Sequence, residues 1–289
     1  MAIVVAIANE KGGVGKSTTA VNLAAGLALK LRHQAEPAGR VLMLDLDPQM
    51  NGLMGIAYGQ HEASPGESIG ALLTDEAPPS PQALVKRARH HANLYFIPSN
   101  NVGLKEASHR VRLLPGADLR LRNALEPLLP DYAYVIIDTP PNAGVMLTNA
   151  IMASDFILIP IEMSYQGASG LGGLHRTILQ TVQVHRRGDL EILGYLPTMY
   201  EEAAADAGEI LERLRERYGD KVFEPIHRAR AIQQANGAHL DIFLFRPPRT
   251  WDEGLESSNR ATQEYARLVN EVMRRGERAQ RARQGVVHG

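Results

Sequence analysis

Eight consecutive residues, Lys11-Gly12-Gly13-Val14-Gly15-Lys16-Ser17-Thr18, carry the residue types that phosphate chemistry needs. They follow an apolar run, Ile3 to Ala8, and precede a helix-like run, Thr19 to Leu31. Strand, glycine-rich turn and helix in that order make the context of a phosphate-binding loop. In such a loop backbone N–H groups converge on phosphate oxygens, and the helix N-terminus adds partial positive charge. Glycine lets the backbone approach closely and adopt positive φ. Lys16 is expected to reach the terminal phosphates and the Ser17 hydroxyl to bind Mg²⁺. The general string GxxxxGK[ST] would put glycine at position 10. This chain has Glu10 there, and then a second lysine, Lys11.

Two further apolar runs end in acids. Val41-Leu42-Met43-Leu44-Asp45-Leu46-Asp47-Pro48-Gln49 reads as a strand whose Asp45 and Asp47, two apart on extended chain, point the same way. In a doubly wound sheet the strand C-termini face the ligand crevice, which aims these carboxylates at the phosphates. An acid beside a Mg²⁺-nucleotide orients or deprotonates an attacking water. Asp-Pro is equally a signal for a strand-ending Asx turn, and the residues alone leave both readings open. Tyr134-Val135-Ile136-Ile137-Asp138-Thr139-Pro140-Pro141 has the form of a buried strand that delivers one carboxylate, Asp138, to the Mg²⁺ shell.

The elements that must position these residues alternate along the chain. Strands are expected at Ile3–Ala8, Val41–Asp45, Leu94–Pro98, Tyr134–Asp138, Phe156–Pro160 and Ile192–Thr198. Helices are expected at Thr18–Lys30, Pro81–His90, Leu119–Leu129, Gln166–His185, Ala203–Tyr218 and Ser257–Arg274. Continuous apolar strands between helices imply an α/β fold, a doubly wound and mostly parallel sheet with helices on both faces. The expectation is one nucleotide-binding domain over 1–274 and a basic, flexible tail over 275–289, where Glu277 is the only acid.

Composition narrows the partners. A net charge of −1 exerts no global pull on nucleic acid or membrane, so such binding needs local patches. Without cysteine there is no disulfide, thiolate metal site or cysteine-ligated iron–sulfur cluster. The ten histidines lack metal-ligand spacing, and His90-His91 reads as a surface helix end. The N-terminus reads as a strand rather than a leader, and no apolar run approaches the ~20 residues of a membrane span. A soluble, intracellular protein is the expectation.

The KGGVGKS string resembles the deviant Walker A of the ParA/MinD group of ATPases. DLDPQ resembles the switch segment after the Walker A helix, and IIDTPP a second switch region. With ASDFILIPIEMSYQGASGL, and TMY followed by RYGDKVFEPI, the likeness spans most of the chain and points to ParA or Soj partition ATPases. That resemblance implies ATP and ADP as ligands with Mg²⁺, and an ATP-state homodimer. It also implies non-specific DNA binding, a ParB-like activator that stimulates slow hydrolysis, and a nucleoid-associated cytoplasmic location without membrane insertion. On the same resemblance, Lys11 crosses the dimer interface to the partner's nucleotide and Asp45 positions the hydrolytic water. Gly12 to Thr18, Pro48, Asn51 and Met199 contact the nucleotide, and Ser17, Asp45 and Asp138 serve the metal.

The likeness thins in the last third. Where the family carries Pro-Arg-Asn after EPI, this chain has His227-Arg228-Ala229-Arg230, and the segment after TMY is acidic and small. Arg228, Arg230, Arg246 and Arg249 are the candidate DNA contacts, being less offset by nearby acids than Arg213, Arg215 and Arg217. A ParA-like ATPase positioning a cargo other than DNA is the alternative. A MinD-type membrane switch would need a C-terminal amphipathic helix, and Arg274 to Gly289 offers basic residues without an apolar face.

Overall fold

β1 (Ile3–Ile7) is apolar at every position because both of its faces are covered. Ile3, Val5 and Ile7 enter one core, whereas Ala2, Val4 and Ala6 enter another. The same period of two splits β2 (Val41–Asp45) and β5 (Tyr134–Asp138) between the two faces. The structure is a computed structural model that describes residues 2–32, 34, 39–57, 63–75, 77–165, 167, 170–247 and 259–286.

The other strands are β3 (Lys86–Arg87), β4 (Leu94–Phe96), β6 (Phe156–Glu162) and β7 (Glu191–Thr198). The helices are α1 (Lys16–Leu31), α2 (Asn51–Ala57), α3 (Ile69–Thr74), α4 (Pro81–Leu84), α5 (Asn101–Arg110), α6 (Arg120–Leu125), α7 (Val145–Ala153), α8 (Leu171–His185), α9 (Ala205–Tyr218), α10 (Arg230–Gly237), α11 (Ile242–Phe245) and α12 (Arg260–Val286). The seven strands form one sheet in the order β3-β4-β2-β5-β1-β6-β7, parallel except for β3. β5 is thus central, with its Asp138 opposite Ile7 of β1 on one side and Asp45 of β2 on the other. The carboxyl ends of β1, β2 and β5 meet at one edge, where a ligand crevice belongs.

α1 packs on the sheet and is itself covered by α12, whose Ala261, Tyr265, Leu268, Val269 and Val272 are buried at helical spacing. The two helices approach so closely that a Cβ on Gly26 would lie 2.5 Å from Val269 Cγ2. Glycine is required there.

Several expected elements differ. The helix expected over Pro81–His90 stops at Leu84, and Lys86–Arg87 pairs instead with the open edge of β4. Tertiary pairing overrides local propensity here. His91 is buried rather than superficial, with its Nε2 2.8 Å from Asp241 Oδ2, the carboxylate that caps α11. The helix expected over Leu119–Leu129 ends at Leu125, ahead of Pro127. α5 was not anticipated, although Asn100 caps it by accepting from Gly103 N at 2.9 Å.

The arginine-rich stretch after Arg274, expected to fray, continues α12 as far as Val286. Arg275 donates to the carbonyls of Leu193 (3.0 Å) and Asp220 (2.7 Å) while stacking over Phe223. Arg283 donates to Asp189 O at 2.6 Å, pairs with Asp155 and Glu191, and covers the Phe156 ring. Arginine stems pack on aromatic faces while their heads satisfy carbonyls, so basic composition alone did not reveal a docked helix.

Candidate nucleotide site

The loop between β1 and α1 takes its shape from two glycines in the left-handed region, Gly13 (φ 79°) and Gly15 (φ 86°). Gly15 is the N-cap of α1, and the first turn carries no acidic residue to cancel the positive end of the helix. Thr198 Oγ1, at the end of β7, donates to Val14 O at 2.9 Å and fixes the loop to the sheet. Lys16 is only 6% exposed, and its ammonium donates to Lys11 O at 2.8 Å. Burial lowers its pKa, while the charges of Asp138 and Asp47 draw it up.

Beneath the loop lie two buried carboxylates. Asp45 is already engaged: its oxygens accept from Asp47 N (2.9 Å) and Leu53 N (3.1 Å). Asp138 differs, since neither of its buried oxygens has a hydrogen-bond partner. The Ser17 hydroxyl neighbours it without meeting hydrogen-bonding geometry. Burial pushes the Asp138 pKa up to about 7, with Ser17 and Lys16 opposing that rise. Asp45 is raised as well, first by burial and then by the charge of Asp138. A buried carboxylate with two vacant oxygens beside a serine hydroxyl fits a hard divalent cation. Among the described residues there is no group of three or more His, Cys, Asp or Glu that could hold a metal by itself.

Gly52 completes this floor and was not singled out from the sequence. A Cβ there would lie 2.9 Å from Asp45 Oδ2 and 3.0 Å from Asp138 Oδ2. Its place one residue after Asn51 was the only local hint.

A cleft of about 460 Å³ opens over the loop. Gly12, Gly13, Gly15, Lys16, Ser17, Thr18, Asn51 and Met199, all positions expected to contact nucleotide, are among its lining residues. Pro48 does not line it, whereas its neighbours Asp47 and Gln49 do. Val14 is buried beneath it. Asn236 and His239 contribute from the α10–α11 side and were missed, as was the 3.0 Å bond from Asn236 Nδ2 to Thr18 Oγ1. Lys11 is absent from the cleft wall. Its ammonium turns to Glu162 Oε2 at 2.7 Å.

A smaller lobe continues past Met199, which holds a positive φ of 53°, to His227, Arg228 and Gln233. His227 is fixed by Glu264, its Nδ1 lying 2.7 Å from Oε1 and its N–H donating to Oε2 at 2.9 Å. Arg228 forms an ion pair with Glu201, so it is more offset than its sequence neighbourhood suggested. Arg230 is exposed at the start of α10, and Arg246 stacks over Phe245. Arg249 lies outside the described residues.

Comparison with known proteins agrees with this geometry. A family model described as an AAA domain, AAA_31, matches residues 2–192. The sporulation initiation inhibitor protein Soj of Bacillus subtilis is 33% identical over 96% of this chain and 100% of its own length. The chain belongs to the ParA/Soj family. It is therefore a P-loop NTPase of ParA/MinD type. The apo McdA structure from Cyanothece superposes with a TM-score of 0.76 at 23% identity, covering 94% of this chain and 100% of that one. Cobyrinic acid a,c-diamide synthase from Mycobacterium smegmatis, solved with an ATP analog and magnesium, has a TM-score of 0.71 at 27% identity, covering 95% of each chain. Nucleotide and magnesium are thus ligands of a related structure.

Proposed function

We propose that this chain is an ATP-switched ATPase of the partition type, in which two subunits close on each other's nucleotides. Lys16, the loop amides and Ser17 hold the phosphates within one chain. Ser17 and Asp138 are the residues to hold Mg²⁺, which when bound neutralises charge developing on the terminal phosphates. Asp45, oriented by the Asp47 and Leu53 amides, aligns and deprotonates the attacking water. In its ATP state the dimer binds DNA without sequence preference, and a ParB-like partner stimulates hydrolysis. That cycle places the protein on the nucleoid.

One observation carries this reading: Lys11 stands outside the cleft of its own chain although it belongs to the phosphate-loop string. A cation there has phosphates to meet only on a second subunit. The experiment is sizing by light scattering with ATP on the parent and on Lys11→Ala. The parent dimerises with ATP, and the variant binds ATP but stays monomeric. A variant that dimerises like the parent contradicts the reading. DNA binding is tested separately by salt titration with ATP present, and affinity independent of salt and nucleotide contradicts it.

The pairing of Arg228 with Glu201 favours a second reading, in which the same switch positions a cargo other than DNA. Capture of partners by an ATP-trapped Asp45→Ala protein separates the two.

A further inference from the structure

The three residues ahead of the glycine loop are each tied down by their own side chains. Asn9 Nδ2 donates to Pro160 O at 2.7 Å, and its Oδ1 accepts from Lys11 N at 3.0 Å. Lys11 ends on Glu162. Both of those anchors belong to β6. Glu10 alone reaches a helix: its Oε1 accepts from Thr177 Oγ1 of α8 at 2.6 Å. Room for this contact exists because residue 173 has no side chain. A Cβ on Gly173 would sit 2.6 Å from Glu10 Oε2.

An acid at position 10 is not what phosphate binding asks for. A carboxylate beside an anion site opposes the ligand, and the general loop pattern uses glycine at this place. Here the charge is drawn to the far side and satisfied by a hydroxyl on α8. Glu10 and Lys11 are consecutive in the bend that opens the loop, so fixing Glu10 against α8 also fixes the backbone from which the Lys11 side chain leaves toward Glu162. Thr177 and Gly173 are four apart and share one face of α8, as a two-point notch for one side chain requires.

We propose that Glu10 is a positioning residue: its hydrogen bond to Thr177, made in the notch at Gly173, aims Lys11 out of its own cleft toward a second subunit. The inference rests on the reading that Lys11 serves a partner's nucleotide. It makes α8 part of the dimerisation device, since any shift of that helix is passed to Lys11 through Glu10.

The test compares Glu10→Ala, Thr177→Val and Gly173→Ala with the parent and with Lys11→Ala. Gly173→Ala evicts the carboxylate without altering it, and alanine improves helix propensity, so the fold is kept. Two quantities are read: affinity for a fluorescent ADP analogue in the monomer, and the dimer dissociation constant with ATP. Each of the three variants keeps the monomer affinity and weakens dimerisation at least about tenfold, the loss expected for a hydrogen bond to a charged group. Glu10→Gln retains an acceptor for Thr177 and restores most of the dimerisation. Combining Glu10→Ala with Thr177→Val adds no further loss. Normal dimerisation in all three variants, with Lys11→Ala monomeric, overturns this inference alone. Normal dimerisation of Lys11→Ala overturns the partner-lysine reading as well. An equal loss of monomer affinity would make the contact general support for the loop and would also overturn it.

Discussion

Asp138→Asn should make the empty protein more stable while disabling it. In the nucleotide-free chain this carboxylate is fully buried, lacks hydrogen-bond partners, and has its pKa raised from 3.8 to about 7. Below pH ~4 both folded and unfolded chains carry the proton, and the group costs nothing. Between there and about 7 the unfolded chain releases its proton while the folded chain retains it, so the cost grows with pH. Above about 7 both are ionised and the cost is constant. Three pKa units correspond to an upper bound of about 4 kcal/mol, and proton sharing with Asp45 reduces the realised gain to roughly 1–3 kcal/mol. Urea unfolding of the parent and Asp138→Asn at pH 4.5 and pH 8, without nucleotide, is the assay. The variant should be more stable at pH 8 and nearly equal to the parent near pH 4. It should also lose the extra stabilisation that Mg²⁺ with ATP gives the parent. A variant less stable than the parent at pH 8 would refute the claim that an unsatisfied carboxylate is stored here for a cation.

Three further perturbations probe other parts of the site. Gly52→Ala forces a Cβ against both carboxylates, so magnesium-dependent nucleotide affinity, measured by calorimetry, should drop about tenfold or more while ordinary folding persists. Asp45→Ala should still dimerise with ATP but hydrolyse it at least about a hundredfold more slowly in a single-turnover phosphate assay; unchanged turnover removes its water-positioning role. Arg283→Ala removes the clamp onto Asp155, Glu191 and the Asp189 carbonyl, at a cost of about 1 kcal/mol. Amide exchange should then quicken in the last turns of α12 and leave the phosphate loop unchanged.

The parts of the molecule legible in the sequence are those whose signal is local. β1, the glycine loop and α1 are contiguous, so their order is written in one short stretch. Asp45 and Asp138 end apolar runs, and parallel register brings the two acids side by side. The less visible features depend on partners far along the chain. Glu10 meets Thr177 across 167 positions, and Asn9 meets Pro160 across 151. Neither pair leaves a trace in spacing. Lys86–Arg87 becomes strand only because β4 offers an open edge. Arg228 looked unopposed in sequence because Glu201, its partner, lies on the other side of α9. Arg249, one of the candidate DNA contacts, lies outside the described residues.

The central claim is that each nucleotide is served by Lys16 of its own chain and Lys11 of the other. Subunit complementation tests it most directly. Lys11→Ala subunits keep Lys16 and bind nucleotide, and Lys16→Ala subunits keep Lys11 to donate. Each variant alone should be inactive, and a mixture should regain ATP hydrolysis from heterodimers that contain one complete site. A mixture as inactive as its components, or a Lys11→Ala protein that hydrolyses ATP at the parent's rate as a monomer, would contradict the account.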